Sequence, residues 1–90
     1  MKVAIIGGGK LGYKLAESLS GRSIDCLVVD NDEDVIEKLN EHLDVLTYKA
    51  NGLEVESLKN IDIASFDFVV VCTGSDEINA IICTLAKSLG

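Results

Sequence analysis

Gly7-Gly8-Gly9-Lys10-Leu11-Gly12 sets glycines at the first, third and sixth places of a short run. That spacing suits one task, which is to let a bulky charged group lie against bare backbone. Gly7 permits a tight turn, Gly9 lacks the Cβ that would hold a pyrophosphate away, and Gly12 lets a following helix pack closely. Gly8 completes the loop between them. Backbone N–H groups in the first turn of such a helix point outward at the positive end of its dipole, where a phosphate binds. Asp30 stands about 20 positions beyond the loop, the place from which a carboxylate accepts hydrogen bonds from ribose hydroxyls. The same charge repels a ribose 2′-phosphate, and the next base along the chain is only Lys38. Together these residues favour NAD(H) or an adenine nucleotide (ATP, ADP, AMP), with NADP disfavoured.

These groups act together only if a strand, a helix and a second strand present them, and the sequence supplies that order. Val3-Ala4-Ile5-Ile6 is a continuous apolar run ended by glycine, which predicts a buried strand. Lys10 to Ser20 predicts a helix with Leu11, Leu15, Ala16 and Leu19 on its inner face, stopped by Gly21. Cys26 to Val29 predicts a second buried strand, ending at Asp30. Asn31 is the expected N-cap of the next helix. Asp32, Glu33 and Asp34 follow at the end of the dipole that favours acids, and Val35, Ile36, Leu39 and Leu43 form its apolar stripe. Asp44 to Tyr48 predicts a third strand. Asn51-Gly52 predicts a turn into a short helix over Leu53 to Lys59, and Phe66 to Cys72 a fourth strand. Ser75 is expected to cap a last helix with Ile78, Ile81, Ile82, Leu85, Ala86 and Leu89 turned inward.

Apolar strands alternating with helices imply an α/β fold, a Rossmann-like doubly wound parallel sheet with helices on both faces. The strand order of that arrangement is 3-2-1-4, and its ligand crevice opens where the order reverses, at the carboxyl ends of strands 1 and 4. A full doubly wound sheet carries about six strands. Residues 1–90 are therefore expected to be one nucleotide-binding domain truncated after its fourth strand and helix, the N-terminal portion of a longer unit.

Composition removes several other classes. The chain holds eight Lys and Arg against 15 Asp and Glu, a net charge of −7, with no Trp. It has neither the basic stripe nor the stacking aromatics of a nucleic-acid binder, so any phosphate must be held by backbone amides. No apolar run approaches the roughly 18 residues of a membrane span, and the first strand lacks the layout of a signal peptide. The chain reads as soluble and cytoplasmic, without direct membrane insertion. Cys26, Cys72 and Cys83 form no CxxC pair and each lies in an apolar run, so they are expected to be small buried hydrophobes in a reducing compartment. His42 stands alone, which gives no basis for a metal site.

Beyond the generic fingerprint, three segments are more particular. Lys2-Val3-Ala4-Ile5-Ile6-Gly7-Gly8-Gly9-Lys10-Leu11-Gly12, Val29-Asp30-Asn31-Asp32-Glu33 and Thr73-Gly74-Ser75-Asp76-Glu77-Ile78-Asn79 resemble the RCK/KTN (TrkA N-terminal-like) domain family. These are regulatory nucleotide-binding domains of Trk- and Ktr-type potassium uptake systems and of some potassium channels. The resemblance spans nearly the whole chain and about the first two thirds of the family's domain. It implies binding of NAD(H), ATP, ADP or AMP, and a homo-oligomeric ring whose geometry follows ligand occupancy. A membrane potassium transporter or channel subunit is the implied partner. By the same resemblance Gly7, Gly9 and the amides of Lys10 and Leu11 meet phosphates, and Asp30 with Asn31 lies at the ribose. Ala50 lies near the adenine, while Cys72, Thr73 and Gly74 line the crevice. The chain departs from the family before Ala50, where Tyr48-Lys49 replaces a usual Gly-Asp pair.

Two functions are then in competition: a regulatory module that senses a nucleotide without catalysis, and the cofactor-binding fragment of an NAD-dependent dehydrogenase. Hydride transfer needs a proton donor or acceptor near the nicotinamide, commonly His, Lys or Tyr. His42 is predicted on the second helix, away from the crevice. The sequence places no other such group at the strand ends, which favours the non-enzymatic reading.

Overall fold

A computed structural model describes residues 1–52 and 54–89. The elements run β1 (Lys2–Ile6), α1 (Lys10–Leu19), β2 (Asp25–Asp30), α2 (Glu33–His42), β3 (Leu46–Lys49), α3 (Val55–Asn60), a 3-10 turn (Ile63–Ser65), β4 (Phe68–Val71) and α4 (Asp76–Ser88). The four strands form a parallel sheet in the order β3-β2-β1-β4, the doubly wound order expected.

Alternation along the central strands creates two cores. Val3 and Ile5 of β1 with Cys26 and Val28 of β2 face α1 and α2, where Ala16 and Leu39 close the layer. Ala4 and Ile6 with Val29 face the opposite side and meet Leu58 of α3, Ile63 of the 3-10 turn and Ile82 of α4. Ala4, Ile5, Val28, Leu39 and Leu58 are fully buried. A strand covered on both faces has no polar side to show, which is why β1 and β2 read as unbroken apolar runs.

Several boundaries differ from the sequence reading. β3 begins at Leu46 rather than Asp44, and β4 occupies only Phe68–Val71 of the expected Phe66–Cys72. Both are edge strands with a single pairing partner: β3 pairs with β2 only from Leu46 opposite Leu27, and β4 pairs with β1 from Phe68 opposite Val3 to Val71 opposite Ile6. Phe66 instead packs on the α3/α4 core, behind the 3-10 turn. The helix expected from Leu53 is observed over Val55–Asn60; its expected first residue lies outside the described residues.

The cap of α2 is Asp32 and not Asn31. The Asp34 N–H donates to Asp32 Oδ1 at 2.9 Å, and the Asp32 N–H itself donates to Asp30 Oδ1 at 2.8 Å. Asp30 thus holds the chain in a turn for one residue more, and an ionised acceptor then meets the helix dipole. Ser75 caps α4 as expected, accepting from the Ile78 N–H at 3.3 Å.

Three apolar side chains stand outside where the pattern placed them inside. Leu11 is 68% exposed, because α1 is held to the sheet through Gly12 and Ala16, which turns Leu11 outward. Ile81, at the margin of the α4 stripe, is 52% exposed. Cys83 is exposed on α4, while Cys26 is buried and Cys72 half-buried. Burial pushes the Cys26 and Cys72 thiols up from their ordinary pKa. A thiol-specific reagent near neutral pH is accordingly expected to label Cys83 first, half-buried Cys72 more slowly, and Cys26 only on unfolding. Equal labelling rates at all three, followed by mass spectrometry of the native protein, would contradict this packing.

Candidate functional site

At the carboxyl edge of the sheet, hydrogen bonds continue past the strand ends and fix the loops there. The Gly7 N–H donates to the Val29 carbonyl at 2.7 Å, Cys72 N–H to Ile6 at 2.8 Å, and Ala50 N–H to Asp30 at 3.0 Å. The four strand ends are thereby tied in one row. Between them opens a crevice of about 420 Å³. It sits at the reversal of strand order, where α1 leaves one face of the sheet and α4 the other, which is where open α/β sheets receive ligands.

The glycine loop is shaped by two contacts that exclude side chains. Gly7 has φ 108°, and a Cβ there would lie 2.7 Å from the Cys72 carbonyl oxygen. A Cβ on Gly12 would lie 1.8 Å from the Gly7 carbonyl oxygen, so the first turn of α1 rides directly on the loop. Gly8 is buried beneath Val35 and Leu39 of α2, and its N–H donates to Asp30 Oδ2 at 2.8 Å. The Asp30 carboxylate therefore spans two loops, taking one N–H on each oxygen. Each oxygen keeps lone-pair capacity for a further donor such as a ribose hydroxyl.

On the far wall, Asn79 of α4 holds the segment that follows β4. Its Oδ1 accepts from the Thr73 N–H at 3.0 Å and also from the Thr73 hydroxyl, while its Nδ2 reaches the Thr73 carbonyl at 3.4 Å. Helix preference does not explain an asparagine here; this clamp does. Asn79→Ala is expected to lower stability by about 1–2 kcal/mol, and Asn79→Asp, which keeps the acceptor, to recover part of the loss. Thermal melts of the two variants check this, and equal melting points for alanine and wild type would remove the clamp.

Of the residues singled out in the sequence, the crevice brings together Gly7, Gly9, Asp30, Asn31, Ala50, Cys72, Thr73 and Gly74. Gly8, Lys10, Leu11 and Gly12 do not line it: Gly8 and Gly12 support the loop from behind, Leu11 faces solvent, and Lys10 borders a separate groove. The sequence reading missed Ile6, Val29, Ile78 and Ile82, which give the crevice an apolar wall, and Asn51 and Gly52 beside Ala50. Ile6 ends β1 and Val29 is the next-to-last residue of β2, and that position was the signal available for them. Ile78 and Ile82 came from a helix read only as core.

The parallel pairing of β2 and β3 sets Lys49 in register with Asp30, a base that a search along the chain alone passes over. Its ammonium lies 3.7 Å from the Glu33 carboxylate at the start of α2. Among the described residues the crevice lining holds no Lys, Arg, His or Tyr, and Asp30 is its one charged group. It offers backbone amides, one carboxylate and an apolar wall, which is the chemistry of binding and orientation. Among the described residues there is no cluster of three His, Cys, Asp or Glu suited to a metal ion, and no helix is long and apolar enough to cross a membrane.

Residues 3–90 match the TrkA-N domain. The chain belongs to that family. It is 39% identical over 87 residues to the Trk system potassium uptake protein TrkA homolog 1 of Methanosarcina mazei, covering 97% of this chain and 19% of that protein. A Trk system potassium uptake protein TrkA homolog of Methanothermobacter thermautotrophicus is 33% identical, with 97% of this chain and 40% of the relative covered. The Halomonas elongata TrkA is 35% identical over 89 residues, with 99% and 20% covered. The chain thus spans a fifth to two fifths of the relatives it matches. All three relatives are named as Trk system potassium uptake proteins.

Proposed function

We propose that this domain is the nucleotide sensor of a Trk-type potassium uptake system, binding NAD(H) or ATP/ADP in the crevice at the strand ends. The observation that carries the reading is the open space at Gly9 and Gly74. Neither has a positive φ, and a Cβ on either would meet nothing within 4 Å. Neither backbone strain nor protein packing calls for glycine there, yet both line the crevice. The vacant volume is what a phosphate chain needs to reach the first N–H groups of α1, a helix with no acid in its first turn and no side chain capping it. Asp30 takes the ribose and the apolar wall takes the rings. NADP is disfavoured, because Asp30 presents negative charge toward a 2′-phosphate and Lys49, the base in register with it, is engaged by Glu33.

In this reading the protein acts on the cytoplasmic side as a homo-oligomer. Ligand occupancy alters the spacing of its subunits, and a membrane potassium transporter or channel subunit responds. The names of the potassium uptake relatives support the transport setting. A dehydrogenase fragment finds no support in a crevice that, among the described residues, is lined by no His, Lys or Tyr.

Calorimetric titration with NADH, NAD, NADPH, ATP, ADP and AMP, on the wild type and on Gly9→Ala, tests the proposal. The wild type is expected to bind adenine nucleotides or NAD(H) in preference to NADPH. Gly9→Ala should melt within about 0.5 kcal/mol of wild type and bind at least tenfold more weakly. A folded wild type that binds none of the six would overturn the reading.

A further inference from the structure

Asn51-Gly52 is more than a turn between β3 and α3, because both residues line the crevice. Asn51 is exposed. Gly52 is buried, and a Cβ on it would lie 2.5 Å from Cγ2 of Ile6 on the crevice wall. The loop is fixed at both ends. The Ala50 N–H donates to the Asp30 carbonyl at 3.0 Å, and the Asn51 carbonyl accepts from the Glu54 N–H at 3.0 Å. Asparagine followed by glycine is chemically labile, since glycine has no side chain to keep its own nitrogen from the neighbouring amide carbon. The other four asparagines of the chain precede Asp32, Glu41, Ile61 and Ala80. Two of them, Asn40 and Asn79, also lie inside helices that hold the next nitrogen away. Asn51 alone combines a following glycine, an exposed side chain and a place outside helix and strand.

We propose that Asn51 is a site of spontaneous modification, in which ring closure on Gly52 turns its amide into a carboxylate and weakens the crevice for anionic nucleotides. The backbone nitrogen of Gly52 attacks Cγ of Asn51. The new N–Cγ bond forms, the Gly52 proton passes to the departing Nδ2, and ammonia leaves behind a succinimide. Water then adds to either imide carbonyl and opens the ring to aspartate or isoaspartate. Water is the one co-reactant, and nothing is oxidised or reduced. Either product adds a negative charge to a lining in which Asp30 is the one charged group among the described residues. Isoaspartate also lengthens the backbone beside Gly52, where Ile6 leaves no space. The effect on binding rests on the nucleotide reading of the crevice; the ring closure does not.

The test has two arms. In the first, the protein is aged in warm, mildly alkaline buffer and followed by peptide mapping, with Asn51→Gln, whose longer side chain closes a ring far more slowly, as the control. The mass increase of one amide-to-acid exchange is expected at Asn51 ahead of the other four asparagines, with ammonia released in equal amount. Conversion at Asn51 no faster than at the others overturns the proposal. In the second arm, Asn51→Asp and the aged wild type are titrated with ATP and adenosine, with melting points as the folding control. ATP should bind about threefold or more weakly, the effect of one added screened charge, while adenosine binds Asn51→Asp as it binds wild type. ATP affinity equal to wild type in both samples overturns the effect on binding while the crevice reading stands. Failure of every nucleotide to bind fresh wild type overturns the crevice reading and the binding effect together, and the mass change still decides the modification.

Discussion

Gly12→Ala is expected to destabilise the domain by about 3 kcal/mol or more, which for a domain of this size lowers the melting temperature by roughly 12 °C or more. The reason is the identity of the atom in the way. The new Cβ would sit 1.8 Å from the Gly7 carbonyl oxygen, and that oxygen belongs to a backbone fixed on both sides. The Gly7 N–H is bonded to Val29, and its Cα faces the Cys72 carbonyl so closely that the loop cannot retreat toward β4. Relief requires α1 to lift from the sheet, which uncovers Ala16 and the core around Val3, Ile5 and Cys26. Nucleotide binding should be lost with it. The contrast with Gly9→Ala gives the experiment its force. The same added methyl is structurally silent at Gly9 and disruptive at Gly12, so melting and titration should separate the two variants along different axes. A Gly12→Ala protein that melts with wild type would show that α1 does not ride on the loop.

Asp30→Ala is expected to weaken adenine-nucleotide binding by about 10- to 100-fold, the loss of one charged hydrogen-bond acceptor. It is also expected to lower stability by about 1–3 kcal/mol. The sequence places Asp30 at the ribose and gives no sign of the second effect. In the fold the carboxylate has a structural duty as well. It accepts from the N–H of Gly8, a buried residue, and from the N–H of Asp32, and without it both donors lose their partner. The glycine loop and the entry to α2 would then move independently. Asp30→Asn separates the two duties, since its amide offers one oxygen and so preserves one of the two bonds. It should fall between wild type and alanine in melting temperature. Unchanged affinity in a folded Asp30→Ala protein would remove Asp30 from the ribose, and an unchanged melting point would remove it from the loop.

The helices and strands were largely legible because local patterns determine them. Unbroken apolar runs at Val3 to Ile6 and Cys26 to Val29 demand cover on both faces, and glycines or acids at fixed offsets mark where each run must turn. The alternation of strand and helix then leaves one economical arrangement, and the strand order followed. Loop glycines and Asp30 could be placed at the strand ends for the same reason, since their spacing reflects the length of one strand–helix–strand unit.

What the sequence could not state is which residues meet across that edge. Leu11 and Ile81 have the periodicity of core residues, but the rotation of each helix is set by its tightest contact with the sheet; for α1 that contact is at Gly12. Cys83 follows the same apolar pattern as Cys26 and is exposed, because pattern does not record what lies opposite. Lys49 comes beside Asp30 only through parallel pairing of β3 with β2, and Ile78 and Ile82 join the crevice only because α4 crosses its end. Asn79 reads as an unexplained polar residue until Thr73 is seen against it. Local chemistry and spacing thus determined the elements and the glycine loop. The long-range packing of those elements decided which side chains share a cavity, because contacts between distant residues depend on the crossing and rotation of whole helices, which no local segment encodes.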